Sequence, residues 1–415
     1  MMERYSKYKD SGVDWIGEIP EGWKTTAIRH VLQLHSGSAL PDDQYDAEGD
    51  FPVYGGGAIR GRANQCNVQG QTVIVSRQGA TCGTTRFIGG NAWITEHALI
   101  AYFLDAMYNK RYFAYVLHAM NLGNLSMTAA QPGISASIVQ NQHTPVPNHI
   151  EQQAIADYLD EKTAAIDAAV ADVERSIELL NEYRQSVISE AVTKGLDPNA
   201  PMKDSGIDWI GQIPAHWLML YPKKLFALRK DRAHADDQQL TASQKYGVIS
   251  QKHFMELENQ RVMSVITGSD ILKHVEAGDF VISMRSFQGG LEYSYETGKI
   301  SSAYVMVYPF TDQTYSEYYR HLFKTLNYIQ ALQSTSNLVR DGQALRYSNF
   351  TQVYLPVPPL NEQQGIAKYL NDYTNSIDSL IAQKQSLIVR LKEYRSSLIS
   401  ECVTGKVKVP GVKED

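Results

Sequence analysis

The residues of this chain best suited to chemistry lie in short polar turns, and the chemistry they suit is recognition. "SRQGATCGTTR" at 76–86 places Arg77, Gln78, Thr81, Thr84 and Arg86 close together. Arg, with paired donors, and Gln, with a donor beside an acceptor, match the edges of guanine and adenine, and hydroxyls reach phosphates or bases. Gly79 and Gly83 in the same turn would let the backbone approach a phosphate, because glycine has no Cβ. Upstream, Arg60 and Arg62 flank Gly61 behind a triple glycine, Gly55 to Gly57, and suit contacts to a phosphodiester backbone. A second set follows much later: Arg285, Ser286 and Gln288 in "SMRSFQGG", then Arg340, Gln343, Arg346 and Tyr347 in "NLVRDGQALRYSNF" at 337–350. The alternative for each set is a plain solvated turn.

Residues for bond-making are missing from the same scan. There is no Asn-Pro-Pro-aromatic or Asp-Pro-Pro-Tyr tetrapeptide for amino methylation, no FxGxG-like cofactor loop and no GxxxxGK(S/T) phosphate loop. "VTGKV" at 403–407 lacks both the first glycine and a preceding strand. Cys66, Cys82 and Cys402 have no CxxC spacing for zinc or redox work and read as reduced, partly buried thiols. The acidic run "PDDQYDAEGD" at 41–50 reads as a solvated loop. The expectation is a chain with no catalytic residues and no metal of its own.

The elements that must carry these turns are written twice. "KDSGVDWIGEIPEGW" at 9–23 returns as "KDSGIDWIGQIPAHW" at 203–217, identical at eleven of fifteen positions. A longer segment at 151–193 aligns without a gap with 362–404, identical at 22 of 43 positions. The offset is 194 for the first repeat and 211 for the second, so similar frames enclose inserts of different length and sequence.

The longer segments have the periodicity of coiled-coil helices. In the first copy Leu159, Ile166, Val173 and Leu180 recur every seven residues, with Val170 and Ile177 as companions. The second copy keeps the register with Leu370, Ile377, Leu391 and Leu398, Lys384 holding the remaining place, and Ile381 and Ile388 as companions. Such long one-striped helices need a partner, and the other copy, returning antiparallel, is the nearest. Arg184 and Arg395 fall on the seam within "EYR" and should snorkel outward or meet a carboxylate such as Glu182 or Glu393. "EQQ", Glu151 to Gln153 and Glu362 to Gln364, opens each helix, where a carboxylate suits the free amides. Proline-rich stretches at 144–153 and 355–364 precede them and should be extended. The inserts alternate apolar and polar residues between Gly-rich turns, with helical stretches near 105–120 and 315–333, which predicts mixed α/β domains.

Charge is unevenly spread over the 415 residues, whose net charge is −6. Residues 151–195 hold ten acidic and four basic side chains, while 24–145 and 218–356 hold eight against seven and fifteen against thirteen Lys/Arg over Asp/Glu. A phosphate-contacting face therefore belongs on the inserts rather than on the acidic helix. No apolar signal core or run of about 18 apolar residues is present, so a cytoplasmic protein is expected.

Taken together, the duplicated "KDSG(V/I)DWIG(E/Q)IP..W" phrase, the duplicated "EQQ.IA.YL" helices behind Pro-rich leads and two unlike inserts resemble the DNA-specificity subunit of type I restriction-modification enzymes. The resemblance covers nearly the whole chain. It implies an α/β fold: two target recognition domains separated by two long antiparallel conserved helices that form a coiled-coil spacer, with a pseudo-two-fold internal repeat. The domains would run 1–146 for the first, 147–195 for the first helix, 196–357 for the second, 358–407 for the second helix and 408–415 for a tail. Each domain would read one half of a bipartite site in double-stranded DNA. The helices would set the unread spacer and dock methyltransferase subunits, two by symmetry, which support restriction subunits. S-adenosylmethionine, ATP and Mg would belong to those partners, and the region around "EQQ" could face a methyltransferase. A self-sufficient methyltransferase and an interaction scaffold without DNA recognition remain as alternatives from the residues alone.

Overall fold

A computed structural model describes residues 3–126, 132–259, 271–283, 286–335 and 345–413. It forms two compact units, Met1–Glu174 with Gln385–Asp415, and Arg175–Lys384. Each contains one copy of the repeated phrase, folded as a hairpin: Tyr8–Asp10 pairs antiparallel with Glu18–Pro20, and Met202–Asp204 with Gln212–Pro214. Gly17 and Gly211, at φ 71° and 72°, turn the chain into each second strand in a conformation that costs glycine least. The phrase delivers its last residue to the core, where Trp23 and Trp217 are buried.

In the first unit the insert forms a four-stranded antiparallel sheet in the order Leu32–Ser36, Ala98–Phe103, Thr72–Ser76, Thr85–Ile88. Strand alternation sorts its side chains between two cores. Leu32, Leu34, Val73, Val75 and Leu99 pack under helix Lys110–Ala119, while Ile74, Ile88, Ala98 and Ile100 form the other layer. A three-stranded sheet of Ile59–Ala63, Phe51–Tyr54 and Trp93–Ile94 adjoins it.

The second unit builds the same sheet from unrelated residues, in the order Phe226–Arg229, Val305–Pro309, Phe280–Ile282, Glu292–Tyr293. In both sheets the first strand pairs with the fourth, the fourth with the second and the second with the third. The inserts therefore differ in sequence and decoration while sharing a topology. Here the core is aromatic: Phe226, Phe280, Phe323 and Phe350 pack with Tyr318 and Tyr319 of helix Ser316–Leu322, and helix Leu326–Ser334 adds Tyr328. The Pro-rich stretches are extended through their prolines, His143–Val146 pairing with Lys24–Ala27 and Leu355–Val357 with Leu218–Leu220, but they are shorter than expected, since helix takes over at His149 and Leu360.

The two long helices are His149–Lys194 and Leu360–Val403, of 46 and 44 residues. Their seam is as expected. In the first unit Leu159, Ile166, Val170 and Leu398 are buried and Val173, Ile388 and Leu391 half-buried; in the second, Leu370 and Ile377 are buried and Ile177, Leu180 and Ile381 half-buried. Within each unit the helices run antiparallel. Asp167 faces Arg395 and Glu174 faces Lys392 in the first, while Arg184 faces Asp378 and Ile188 and Val192 pack with Ile366 and Leu370 in the second.

One expectation is corrected in its partners. The seam arginines pair with carboxylates of the opposite helix instead of Glu182 or Glu393: Arg395 Nε lies 2.9 Å from Asp167 Oδ1, and Arg184 Nε 3.5 Å from Asp378 Oδ1. Residues two apart on a helix point roughly 200° apart, so the glutamates of "EYR" face away from their arginines. Residues 408–413 are anchored to the first unit, where Lys408 N donates to Glu3 O at 2.9 Å and Val409 and Val412 are buried in the core. All three cysteines are free, Cys402 buried and Cys66 and Cys82 half-buried. Among the described residues no helix is long and apolar enough to cross a membrane.

Candidate nucleic-acid interface

The recognition turns are held by a frame that locks each insert to the long helices. In the first unit Trp23 Nε1 donates to Glu151 Oε1 at 3.2 Å, Tyr5 donates to the same oxygen at 3.3 Å, and Gln152 Oε1 accepts from Asn109 N at 2.8 Å. In the second, Trp217 Nε1 donates to Glu362 Oε2 at 2.9 Å and Gln363 Oε1 accepts from Tyr315 N at 2.9 Å. Glu151, Gln152 and Gln363 are thus buried and point into their own unit, while Gln364 remains exposed.

Each domain helix is fastened at equivalent places. Arg111 bonds Asp157 and Asp160 at 2.7 and 2.5 Å, and His321 Nε2 lies 2.8 Å from Asn371 Oδ1, Asn371 standing 211 residues after Asp160. The Gln153 amide, against partial burial, and the Arg111 guanidinium hold the Asp157 carboxyl below its usual range. Burial first, and then neighbouring Arg320, pull the His321 imidazole down to about 4, so it is neutral and donates to Asn371. At the far ends, Tyr112 and Tyr318 donate to the carbonyls of Val403 and Val192, each closing its unit over the last turn of a long helix.

On this frame the two expected motifs of the first domain come together. Thr81 Oγ1 donates to Gly56 O at 2.9 Å, which joins the 77–84 turn to the triple glycine. A Cβ on Gly56 would lie 2.7 Å from Ser76 Oγ, so a side chain there would push the two apart. Arg77 Nη1 donates to Ser36 Oγ at 3.1 Å, and exposed Gln78 bonds the His97 ring. Thr84 and Arg60 are exposed, Arg60 beside Asp42, Tyr45 and Glu96. Arg62 is exposed but already donates to Gly49 O and Asp50 O at 2.5 and 2.8 Å. Arg86 is half-buried, its guanidinium 5.6 Å from the Tyr54 ring centre. The role expected of Gly83 is corrected: the space left by its missing side chain is filled by the backbone of Gly123, 2.0 Å from where a Cβ would stand. Gly79 has φ 80° and open space beside it.

In the second domain helix Leu326–Ser334 gathers the expected segments. Gln333 Nε2 donates to Phe287 O at 2.5 Å, and Asn349 Nδ2 donates to Thr335 O at 2.9 Å, fixing the turns that bear Gln288 and Arg346. Gln288 and Arg346 are exposed, and Tyr347 is half-buried against the aromatic core. Ser286 is fully buried and its hydroxyl accepts from Ser283 N at 2.8 Å, so it shapes the turn instead of presenting a donor at the surface. Arg285, Arg340 and Gln343 lie outside the described residues. Sequence reading missed Ser36, His97 and Gln333, which hold the recognition turns from other parts of the chain with no local pattern to mark them, and the bracing role of Asn349, which sits within the quoted 337–350 segment.

Both units thus present exposed Arg and Gln on braced turns, joined in the first by Thr81 and Thr84, the chemistry that reads base edges and phosphates. The comparisons agree with this arrangement. The type I restriction modification DNA specificity domain matches the chain twice, at 20–174 and 223–389. A type I restriction enzyme EcoprrI specificity subunit from Escherichia coli is 26% identical over 177 residues, 42% of this chain and 43% of that protein. A putative type I restriction enzyme MjaX specificity subunit from Methanocaldococcus jannaschii is 21% identical, covering 95% of this chain and 96% of its own length. A chain solved in work on complex assembly and conformational transition of the type I R-M system shares the fold, with a TM-score of 0.64 at 12% identity over 93% of this chain and 98% of that one. With the family's domain present twice and spanning most of its length, this chain belongs to the type I restriction-modification DNA specificity family.

Proposed function

We propose that this chain is the DNA-specificity subunit of a type I restriction-modification complex. It performs no bond chemistry itself. Each recognition domain reads one half of a bipartite, asymmetric site in double-stranded DNA, and the paired helices set the unread base pairs between the halves. Methyltransferase subunits, two by the internal repeat, dock on the helical frame, and restriction subunits join through them. S-adenosylmethionine, ATP and Mg serve those partners, and the complex works in the cytoplasm.

The observation that carries this reading is one scaffold built twice around different readers. The strand order, the Trp–Glu lock and the Arg–Asp pair recur, while the exposed residues of the turns do not. A catalytic protein would duplicate its reactive residues, whereas a reader of an asymmetric site keeps its frame and varies its contacts.

Modified-base sequencing tests it directly, comparing DNA from cells expressing the chain with its native methyltransferase and from cells with the methyltransferase alone. The expected result is a new bipartite motif carrying methylated adenines only when both are present. A complex that assembles and binds cofactor yet writes no motif would overturn the reading.

A further inference from the structure

The second domain holds a cluster outside the turns assigned above to DNA reading. His234, Asp237 and His274 offer one ligand atom each, all within 4.8 Å of one another. His274, on strand Lys273–Val275, is 5% exposed, and its Nδ1 lies 2.8 Å from Asp237 Oδ2. His234 Nδ1 lies 4.0 Å from Asp237 Oδ1, and the two imidazole rings face each other with centres 4.2 Å apart at 31°. A plain His–Asp hydrogen bond accounts for His274 but not for a second imidazole turned toward the first.

We propose that these three residues bind a divalent transition-metal ion, zinc in the first instance. Two imidazoles and one carboxylate form a donor set that zinc takes, with the fourth position left to water. Small inward movements of exposed His234 bring the donors to zinc-bonding distance. The backbone already fixes the cluster: Ala233 N donates to Leu272 O and His274 N to Asp231 O, each at 3.0 Å, so the loop carrying His234 and Asp237 is zipped to the strand carrying His274. A ligating histidine is ordinarily oriented by a carboxylate on its other nitrogen. Glu276 Oε1 stands on that side, 3.8 Å from His274 Nε2. Nearby Asp279 is occupied by Arg229 at 2.6 Å, which leaves Asp237 as the carboxylate for the ion. The bound ion would pin the 231–237 loop to the strand and stiffen one side of the second recognition domain. His274 stands 37 residues beyond Asp237, so the His234 and Asp237 pair alone forms no complete spacing motif.

The test uses the full-length chain without a polyhistidine tag, stripped with a chelator and titrated with Zn²⁺ alone, with Co²⁺ as a spectroscopic substitute. Uptake of one ion per chain, a higher unfolding midpoint and the visible absorption of tetrahedral Co²⁺ are expected. His234→Ala, at an exposed position, should weaken binding by more than about tenfold while leaving the metal-free unfolding midpoint unchanged. Asp237→Asn provides a second variant with the same expected loss. Absence of stoichiometric uptake by the unaltered chain, or undiminished uptake by both variants, overturns the proposal.

Discussion

The indole N–H of Trp23 reaches across 128 residues to donate to Glu151 Oε1 at 3.2 Å. This bond joins the last residue of one repeated phrase to the first of the other, and Trp217 with Glu362 repeats it. It explains why both phrases persist in two copies: each is half of a lock that seats a recognition domain on its helix. Glu151 is buried, so removing the donor leaves a charged group short of a partner. Trp23→Phe should therefore destabilise the first unit by about 2 kcal/mol, read as a lower urea midpoint, and an unchanged midpoint would show the bond to be dispensable.

Acid should loosen the second unit through His321. Its folded-state value, about 4, lies below the unfolded 6.5. Between these values the unfolded chain binds the extra proton, so stability is complete above the upper value, falls with pH through the window and levels off below it. The loss amounts to at most about 3 kcal/mol. His321→Asn should flatten the pH dependence of the second unit's unfolding midpoint across that window. An equally steep variant would place the acid sensitivity elsewhere.

Arg77 and Gln78 separate two kinds of contact. Loss of a phosphate contact weakens binding to every sequence alike and lowers the salt slope by about one, whereas loss of a base contact relaxes one position of the site. Arg77→Ala and Gln78→Ala, assayed in the methyltransferase complex at several salt concentrations, should each show one of these signatures, confined to one half-site. A change in both half-sites would contradict two independent readers.

Lengthening the helices tests the ruler. Because the helices run antiparallel, one heptad must be added to each, after Glu174 and before Gln385, to keep the seam in register. Seven residues add about 10 Å, which is close to three base pairs of duplex. The methylated motif should gain about that much unread spacer. An unchanged spacer in a complex that still methylates would show that the helices do not measure it.

Much of this architecture was legible because it rests on periodicity. The seam from Leu159 to Leu180 and from Leu370 to Leu398 follows the heptad, and the Pro-rich leads follow from proline's fixed geometry. The pairings were hidden. Asp167 and Arg395 are 228 residues apart, and only the antiparallel return of the chain brings them together. The shared sheet was hidden too, since Val73 and Phe280 serve equivalent strands without resembling each other. In the turns, the exposed side chains were readable by type, while those that brace them, Ser36, His97, Gln333 and Asn349, acquire their roles only in three dimensions.

The division of the chain also sets an order of events during synthesis. The second unit is one continuous stretch, Arg175–Lys384, whereas the first needs Gln385–Asp415 as well. As the chain leaves the ribosome, the second unit has all its pieces while the first still lacks Leu398, Ile399, Cys402, Val403, Val409 and Val412 from its core. The later-made domain can thus be the first to complete its fold. The earlier-made one waits a few seconds, at roughly 5–20 residues per second, with Trp23 and Tyr112 exposed to whatever chaperone meets them.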